Sequence, residues 1–295
     1  MFYLDYFFKN LVIVLKLLLK GEWRRVFLAL YARVYQKVYH VIFPLKAPKL
    51  RSQVPPLPAF KLEVITDHPV AYSSPDHLVP FGTKYNNSTN RKFVLRMNEI
   101  FRALFPNATL AFMDLGCSGG QLVKDFQDLN WIAAGLEGSD YSLKHRRANW
   151  AALANKNLFT CDITKPFRVK CNQADHKFHL ITAWEVLEHI RPEDLPALFD
   201  NIRAHLVEGG CFIASTNSLS SVVDGVELHQ TRMSNTQWRE YVAAKFPDLE
   251  PVDFHLKIYH YVRYDFGEPS FLLFRKKASK QIGKESVMTA SGGRT

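Results

Sequence analysis

Between Thr109 and Ser218 short apolar runs alternate with segments expected to be helical: TLAFMDLG, QLVKDFQDL, WIAAGLEG, a Lys/Arg/Ala-rich helix, NLFTCDI, FHLITAWEV, a helix through His205, and GGCFIASTNS. Apolar runs this short read as strands buried on both faces, and parallel strands need a crossover helix between them. The alternation therefore predicts an α/β chain with a mostly parallel sheet covered by helices on both sides. Upstream, VLRMNEIFRALF carries apolar residues at helical spacing and predicts a helix. Downstream, FHLKIYHYVRYDF and SFLLFRKK predict two antiparallel strands that close one sheet edge.

The 295 residues, 47% of them hydrophobic, suit one catalytic domain of roughly 200 residues plus an accessory segment. Four parts are expected: a basic amphipathic helical segment over 1–52, a linker and lid over 53–106, the α/β domain over 107–277, and a polar, disordered tail over 278–295. Pro44, Pro48, Pro55, Pro56 and Pro58 mark the linker as extended. Charge is uneven. Residues 1–51 hold ten Lys or Arg against Asp5 and Glu22, a net +8 of the chain's +10. The remainder is nearly neutral, which argues against a nucleic-acid-binding face and excludes DNA from the expected partners.

In the N-terminal stretch Lys16, Lys20 and Arg33 interrupt the apolar runs before about 20 apolar residues accumulate, so no membrane span is expected. On a helical wheel Lys9, Lys16 and Lys20, then Arg33, Lys37 and His40, lie opposite Leu, Val, Phe and Tyr. Two outcomes stay open: residues 1–43 lie on an anionic membrane surface, or they pack on the protein's own core or on a second copy in a homo-oligomer. No small-residue cleavage site follows the apolar run, so a signal peptide is not expected. Cys117, Cys161, Cys171 and Cys211 form no CxxC pair, which points to a reducing cytoplasm. The expected location is cytoplasmic, on the inner face of the membrane.

The stretch Asp114-Leu-Gly-Cys-Ser-Gly-Gly120 ends the first run and opens the next helix. A tight glycine turn there is expected to point backbone N–H groups at a ligand. Glu137 ends the second strand, 23 residues after Asp114, where a carboxylate can accept both ribose hydroxyls. Asp162 ends the third strand in Cys161-Asp162-Ile163, and no GxxxxGKS pattern is present. These motifs resemble those of the class I S-adenosylmethionine-dependent methyltransferases over roughly residues 108–275. The resemblance implies a Rossmann-like, doubly wound sheet with an N-terminal helical extension. It implies too that Asp114 sits near the methionine end of the cofactor, Gly116 and Gly120 line it, Glu137 holds ribose and Asp162 holds adenine. Cys117, Ser118 and Trp184 join the cofactor set. Ser118 departs from the family, which often has Gly there. DLGCSGG lacks the full GxGxxG, which disfavours NAD.

Ala183-Trp-Glu-Val-Leu-Glu-His-Ile190 places Glu185, Glu188 and His189 within five residues at the end of the fourth strand. If a helix begins there, positions i, i+3 and i+4 share one face. EVLEH resembles the E-x-x-E-H site of metal-dependent O-methyltransferases, such as the small-RNA ribose 2′-O-methyltransferases of plants and the ubiquinone-pathway enzymes. The resemblance implies Mg²⁺ or Mn²⁺ on Glu185, Glu188, His189 and His229, with His189 and Glu188 as the catalytic pair. Alternatively His189 is a general base without a metal, or the stretch is a plain helix start. The polar segment SPDHLVPFGTKYNNSTNRKF, with Asp76, His77, Lys84, Tyr85 and Asn86, is expected to fold over the cofactor mouth and suits a sugar. LLLKGEWRRV is similar to segments of bacterial glycan-modifying transferases. The expectation is therefore O-methylation of a sugar hydroxyl in a polysaccharide or glycolipid. RNA ribose or a quinone-type small molecule is the alternative acceptor, and a non-catalytic cofactor-binding scaffold at the membrane is the alternative class.

Overall fold

The computed structural model describes residues 54–87, 89–256, 264–265 and 268–278, together with positions 18, 19, 21, 23, 26 and 27. The expected amphipathic segment, the polar tail and the centre of FHLKIYHYVRYDF lie outside the described residues. Among the described residues no helix is long and apolar enough to cross a membrane.

In chain order, strand β1 (Leu62–Thr66) leads to two short lid helices, α1 (Pro75–Leu78) and α2 (Phe81–Tyr85), and then to α3 (Arg91–Leu104). The βα alternation follows as β2 (Ala111–Leu115), α4 (Gln121–Gln127), β3 (Ile132–Glu137), α5 (Tyr141–Lys144), α6 (Trp150–Leu153) and β4 (Leu158–Thr160). Next come β5 (Phe167–Cys171), β6 (Ala174–Asp175), β7 (Phe178–Trp184), α7 (Leu195–His205) and β8 (Leu206–Ser215). The chain ends with β9 (Val222–Val223), β10 (Val226–Glu227), α8 (Asn235–Lys245), β11 (Leu249–Pro251), β12 (Tyr264–Asp265), β13 (Glu268–Pro269) and β14 (Phe271–Lys276).

Seven strands form one sheet in the order β11-β14-β8-β7-β2-β3-β4. β4, β3, β2, β7 and β8 are parallel, β14 runs antiparallel to them beside β8, and β11 pairs antiparallel with β14 at the edge. The chain winds outward from β2 to β4, then returns to β7 on the other side of β2. That reversal opens a crevice at the carboxyl ends of β2 and β7, the place where ligands bind in open α/β sheets.

Alternation along the strands builds two cores. Ala111, Met113 and Leu115 of β2 face α7 and α8, with Leu198, Phe199, Ile202, Trp238 and Val242. Phe112 faces α3 and α4, with Phe93, Met97, Phe101, Val123 and Phe126. Asn90 caps α3 by accepting from the N–H groups of Lys92 and Phe93, and the helix buries Phe93, Val94, Met97 and Phe101. β1 forms a small antiparallel sheet with β5 and β6, and its Leu62 joins the first core. Residues 53–106 thus hold core elements as well as a lid.

Two local expectations need correction. The strand beyond β14 at the sheet edge is β11, and the described Tyr264–Asp265 of FHLKIYHYVRYDF pair instead with Glu268–Pro269. The Lys/Arg/Ala-rich stretch is split into α5 and α6 at Arg146 (φ 46°) and Ala148 (φ 49°). The break turns Arg147 out of the helix line, and its Nε donates to the Lys84 carbonyl at 2.8 Å.

Candidate active site

A cavity of about 390 Å³ opens at the carboxyl ends of the central strands, within the size range of small-molecule sites. Gly116, Ser118, Glu137, Asp162, Trp184, Glu185, His189 and His229 all line it. Asp114, Cys117, Gly120 and Glu188 stand behind this wall.

The glycine turn is shaped by close packing. Gly116 has φ 70°, and a Cβ there would meet Val186 Cγ2 at 2.5 Å; Gly120 has φ 79°, and a Cβ would meet Leu158 Cδ1 at 2.4 Å. Most of the turn's N–H groups are already used, contrary to the expectation that they face a ligand. Those of Gly116 and Cys117 donate to the Leu136 carbonyl at 2.8 and 3.0 Å, that of Gly120 to the Cys117 carbonyl at 2.8 Å, and that of Ser118 to Glu137 Oε2 at 2.7 Å. The turn therefore organises Glu137 rather than offering a bare anion hole. The Cys117 side chain is buried, beside Gly135.

Glu137 also accepts from Ser139 N at 3.3 Å and Thr83 Oγ1 at 3.4 Å. Burial pushes its carboxyl up to about 7, against the hydrogen bonds from Ser118 and Ser139. Asp114 is likewise pushed up to about 7 by burial, although Thr182 Oγ1, its register partner across β7, donates to it at 2.6 Å. Asp162 accepts from the Thr164 N–H at 3.0 Å and hydroxyl at 2.6 Å, which fixes its carboxylate at the cavity wall.

The departure at Ser118 acquires a reason. Its hydroxyl donates to the Asn86 carbonyl at 2.5 Å, and Arg147 reaches the carbonyls of Lys84 and Asn86. Ser118 thus docks the lid on the glycine turn, and Arg147 docks it on the α5–α6 break. Of the lid residues singled out by sequence, Asp76 and Asn86 line the cavity. Ser118 sits at φ 46°.

At the carboxyl end of β7 AWEVLEHI does not open an α-helix. Glu185 sits at φ 55°, and Leu187–His189 form a single 3-10 turn. The strain comes from β8: the Glu185 N–H donates to the Ser215 carbonyl at 3.1 Å, and the Ser215 hydroxyl donates to Glu185 Oε1 at 2.7 Å. Glu185 therefore leaves the group it was expected to join. Glu188, His189 and His229 each present one ligand atom, all within 4.8 Å of one another. Glu188 is fully buried and accepts from Asn217 N at 2.9 Å. The loop carrying His229 is stitched to this turn by the Thr231 N–H, which donates to the Glu188 carbonyl at 3.0 Å, and by the Thr231 hydroxyl, which donates to the Ile190 carbonyl at 2.7 Å.

The two imidazoles meet edge to face, with ring centres 4.9 Å apart. His229 Nδ1 bonds the Leu219 carbonyl, so it carries the proton and Nε2 keeps a lone pair. Burial holds His229 below the usual histidine range. His189 Nδ1 lies 2.8 Å from Asp76 Oδ2, at ion-pair distance but off the line of a hydrogen bond. Thr83, Arg147 and the Asp76 contact escaped sequence reading, because each acts across 54 or more residues and none belongs to a local motif.

Residues 85–253 match the family described as the methyltransferase domain. No curated protein matches the sequence. Among solved structures, the chain is similar to an S-adenosylmethionine-dependent methyltransferase from Clostridium acetobutylicum, at 15% identity over 69% of this chain and 96% of that one, with a TM-score of 0.44. It is similar also to the magnesium protoporphyrin IX methyltransferase of Synechocystis with bound S-adenosylhomocysteine, at 12% identity, 70% and 96% coverage and a TM-score of 0.42. An amino pentose methyltransferase from Micromonospora echinaspora gives 14%, 68% and 96%, and 0.43.

Proposed function

Because the chain belongs to the methyltransferase-domain family and is an S-adenosylmethionine-dependent methyltransferase, we propose that its acceptor is a sugar hydroxyl of a polysaccharide or glycolipid. A divalent cation on Glu188, His189 and His229 assists. The observation that carries this reading is the clustering of those three side chains, with His189 and His229 on the wall of the cavity that Glu137 and Asp162 also line.

The cofactor supplies an electrophilic methyl on a sulfonium. Glu137 accepts from the ribose hydroxyls, Asp162 from the adenine amino group, and Trp184 and the lid exclude water. A divalent cation lowers the pKa of a bound hydroxyl, which an alcohol, with a pKa near that of water at about 15.7, requires. The donors fit such an ion on two counts: His229 is oriented by the Leu219 carbonyl, as metal-binding histidines usually are, and Glu188 is buried. Their three ligand atoms lie within 4.8 Å of one another, so these are the residues that would hold the ion. The ion would be Mg²⁺ or Mn²⁺, both of which take carboxylate ligands. Without the cation, His189 takes the hydroxyl proton itself, a second reading favoured by the neighbouring Asp76 carboxylate. The net +8 of residues 1–51 supports work at the inner membrane face, where lipid-linked glycans are exposed.

The test is methyl transfer from labelled S-adenosylmethionine to a panel of glycolipids, polysaccharides, quinols and RNA, with EDTA and then Mn²⁺ added. Label in glycan hydroxyls, lost in EDTA and restored by Mn²⁺, is expected. Label confined to quinols or RNA removes the acceptor assignment. Undiminished transfer in EDTA removes the metal and leaves His189 as the base.

A further inference from the structure

We propose that Asp76 is the positioning residue for His189: brought in by the lid, it accepts a hydrogen bond from the Nδ1–H of the neutral imidazole and leaves the Nε2 lone pair for the acceptor side. This rests on the reading that His189 faces the acceptor, whether as a metal ligand or as a base, because both roles need that lone pair.

Asp76 Oδ2 stands 2.8 Å from His189 Nδ1, and the two side chains are only 27% and 16% exposed. The separation is that of a hydrogen bond, and the proposal is that the N–H turns onto the carboxylate. Asp76 lies in the first turn of α1, whose Ser74 side chain caps it by accepting from the His77 N–H at 3.2 Å. The lid is fixed on both sides of Asp76 to the cofactor half of the site. Ala71 N donates to the Gly138 carbonyl at 2.9 Å, while Ser118 and Arg147 hold the carbonyls of Asn86 and Lys84. Between these anchors Asp76 is the lid carboxylate on the cavity wall.

The second imidazole shows the same logic by another route. His229 has its Nδ1 taken by a backbone carbonyl, so its tautomer is built into the fold. His189 has a lid carboxylate in that role, so its tautomer is set only while the lid is down. The acceptor-side group is thus completed by the same segment that covers the cofactor. One element assembles both halves of the reaction before a hydroxyl is activated.

The experiment uses the full chain with ¹⁵N-labelled histidine, apo and with S-adenosylhomocysteine. Two-bond ¹H–¹⁵N spectra report which ring nitrogen carries the proton, and His189→Gln identifies the His189 signals. In the wild-type protein His189 is expected as the Nδ1–H tautomer with a pyridine-type Nε2 signal. Asp76→Ala should move more than half of it to the Nε2–H form, Asp76→Glu should retain the wild-type tautomer, and S-adenosylhomocysteine affinity should stay within twofold in all three. His189 found as Nε2–H in the wild type, or indifferent to Asp76→Ala, overturns the proposal whatever the variant's stability. Failure of the wild type to bind S-adenosylhomocysteine would strike the cofactor assignment instead, and the tautomer remains readable in the apo protein.

Discussion

Glu137 shows how a buried acid is kept ready for a ligand. Its carboxyl, pushed up to about 7 by burial, is partly protonated near neutrality, and hydroxyl donors from a ribose favour the charged form. Cofactor uptake should therefore release protons, and S-adenosylhomocysteine affinity should rise from pH 6 to pH 8. Calorimetry in two buffers of different ionisation enthalpy measures both, and an affinity flat across that range contradicts it. Glu137→Ala removes charge-assisted hydrogen bonds worth about 1.5–3 kcal/mol each, so affinity should fall at least tenfold while the protein stays folded. Gly120 carries a different constraint. At φ 79°, and with Leu158 Cδ1 only 2.4 Å from the point a Cβ would occupy, Gly120→Ala meets both the left-handed cost and a clash with a buried side chain. A loss on the order of 2–4 kcal/mol is expected in urea melts.

At the scale of elements the lid is the decisive piece. It is held on the glycine turn and the α5–α6 break by hydrogen bonds from Ser118 and Arg147 rather than by a large apolar interface, since Leu78, Phe81 and Tyr85 remain exposed. Arg147→Ala should raise hydrogen exchange across residues 81–87 severalfold and lower global stability by less than about 1 kcal/mol, because the bonds lost are partly solvated. Unchanged exchange there would show that the guanidinium does not hold the lid. Much of the sheet was legible in the sequence because strands buried on both faces have to be continuously apolar: Ala111–Leu115, Ile132–Glu137 and Phe178–Trp184 all lie where the runs put them. The acceptor turn was not. EVLEH has the spacing of a helix, but Ser215 on the next strand pulls Glu185 to positive φ, and no local pattern encodes that contact. The donors to Glu137 were hidden in the same way, while the residue itself was visible from its place at the end of β3.

For the whole molecule, charge and protons act far from the cavity. Residues 1–43 carry a net +5, half of the chain's +10, so their deletion should abolish co-sedimentation with anionic liposomes at low salt and leave S-adenosylhomocysteine affinity intact. A full chain that ignores such liposomes contradicts the membrane proposal. At the opposite end of the sheet, burial lowers His179 to about 4, and its Nδ1 accepts from the Ala111 N–H at 3.1 Å at the start of β2. The unfolded chain binds that proton near pH 6.5, so this contribution is complete above 6.5 and is lost as pH falls toward 4. Discounted for partial exposure it is on the order of 1–2 kcal/mol. His179→Asn keeps an acceptor and cannot titrate, so the wild-type advantage in melting temperature should shrink between pH 7 and pH 4.5. Strand β14 has one more consequence. It lies between β8 and β11, so residues 271–276 must enter a gap whose two sides were synthesised earlier. On the ribosome the sheet keeps an open gap until residues 271–276 have emerged, and a message truncated before residue 270 yields a chain for quality control to destroy rather than a smaller enzyme.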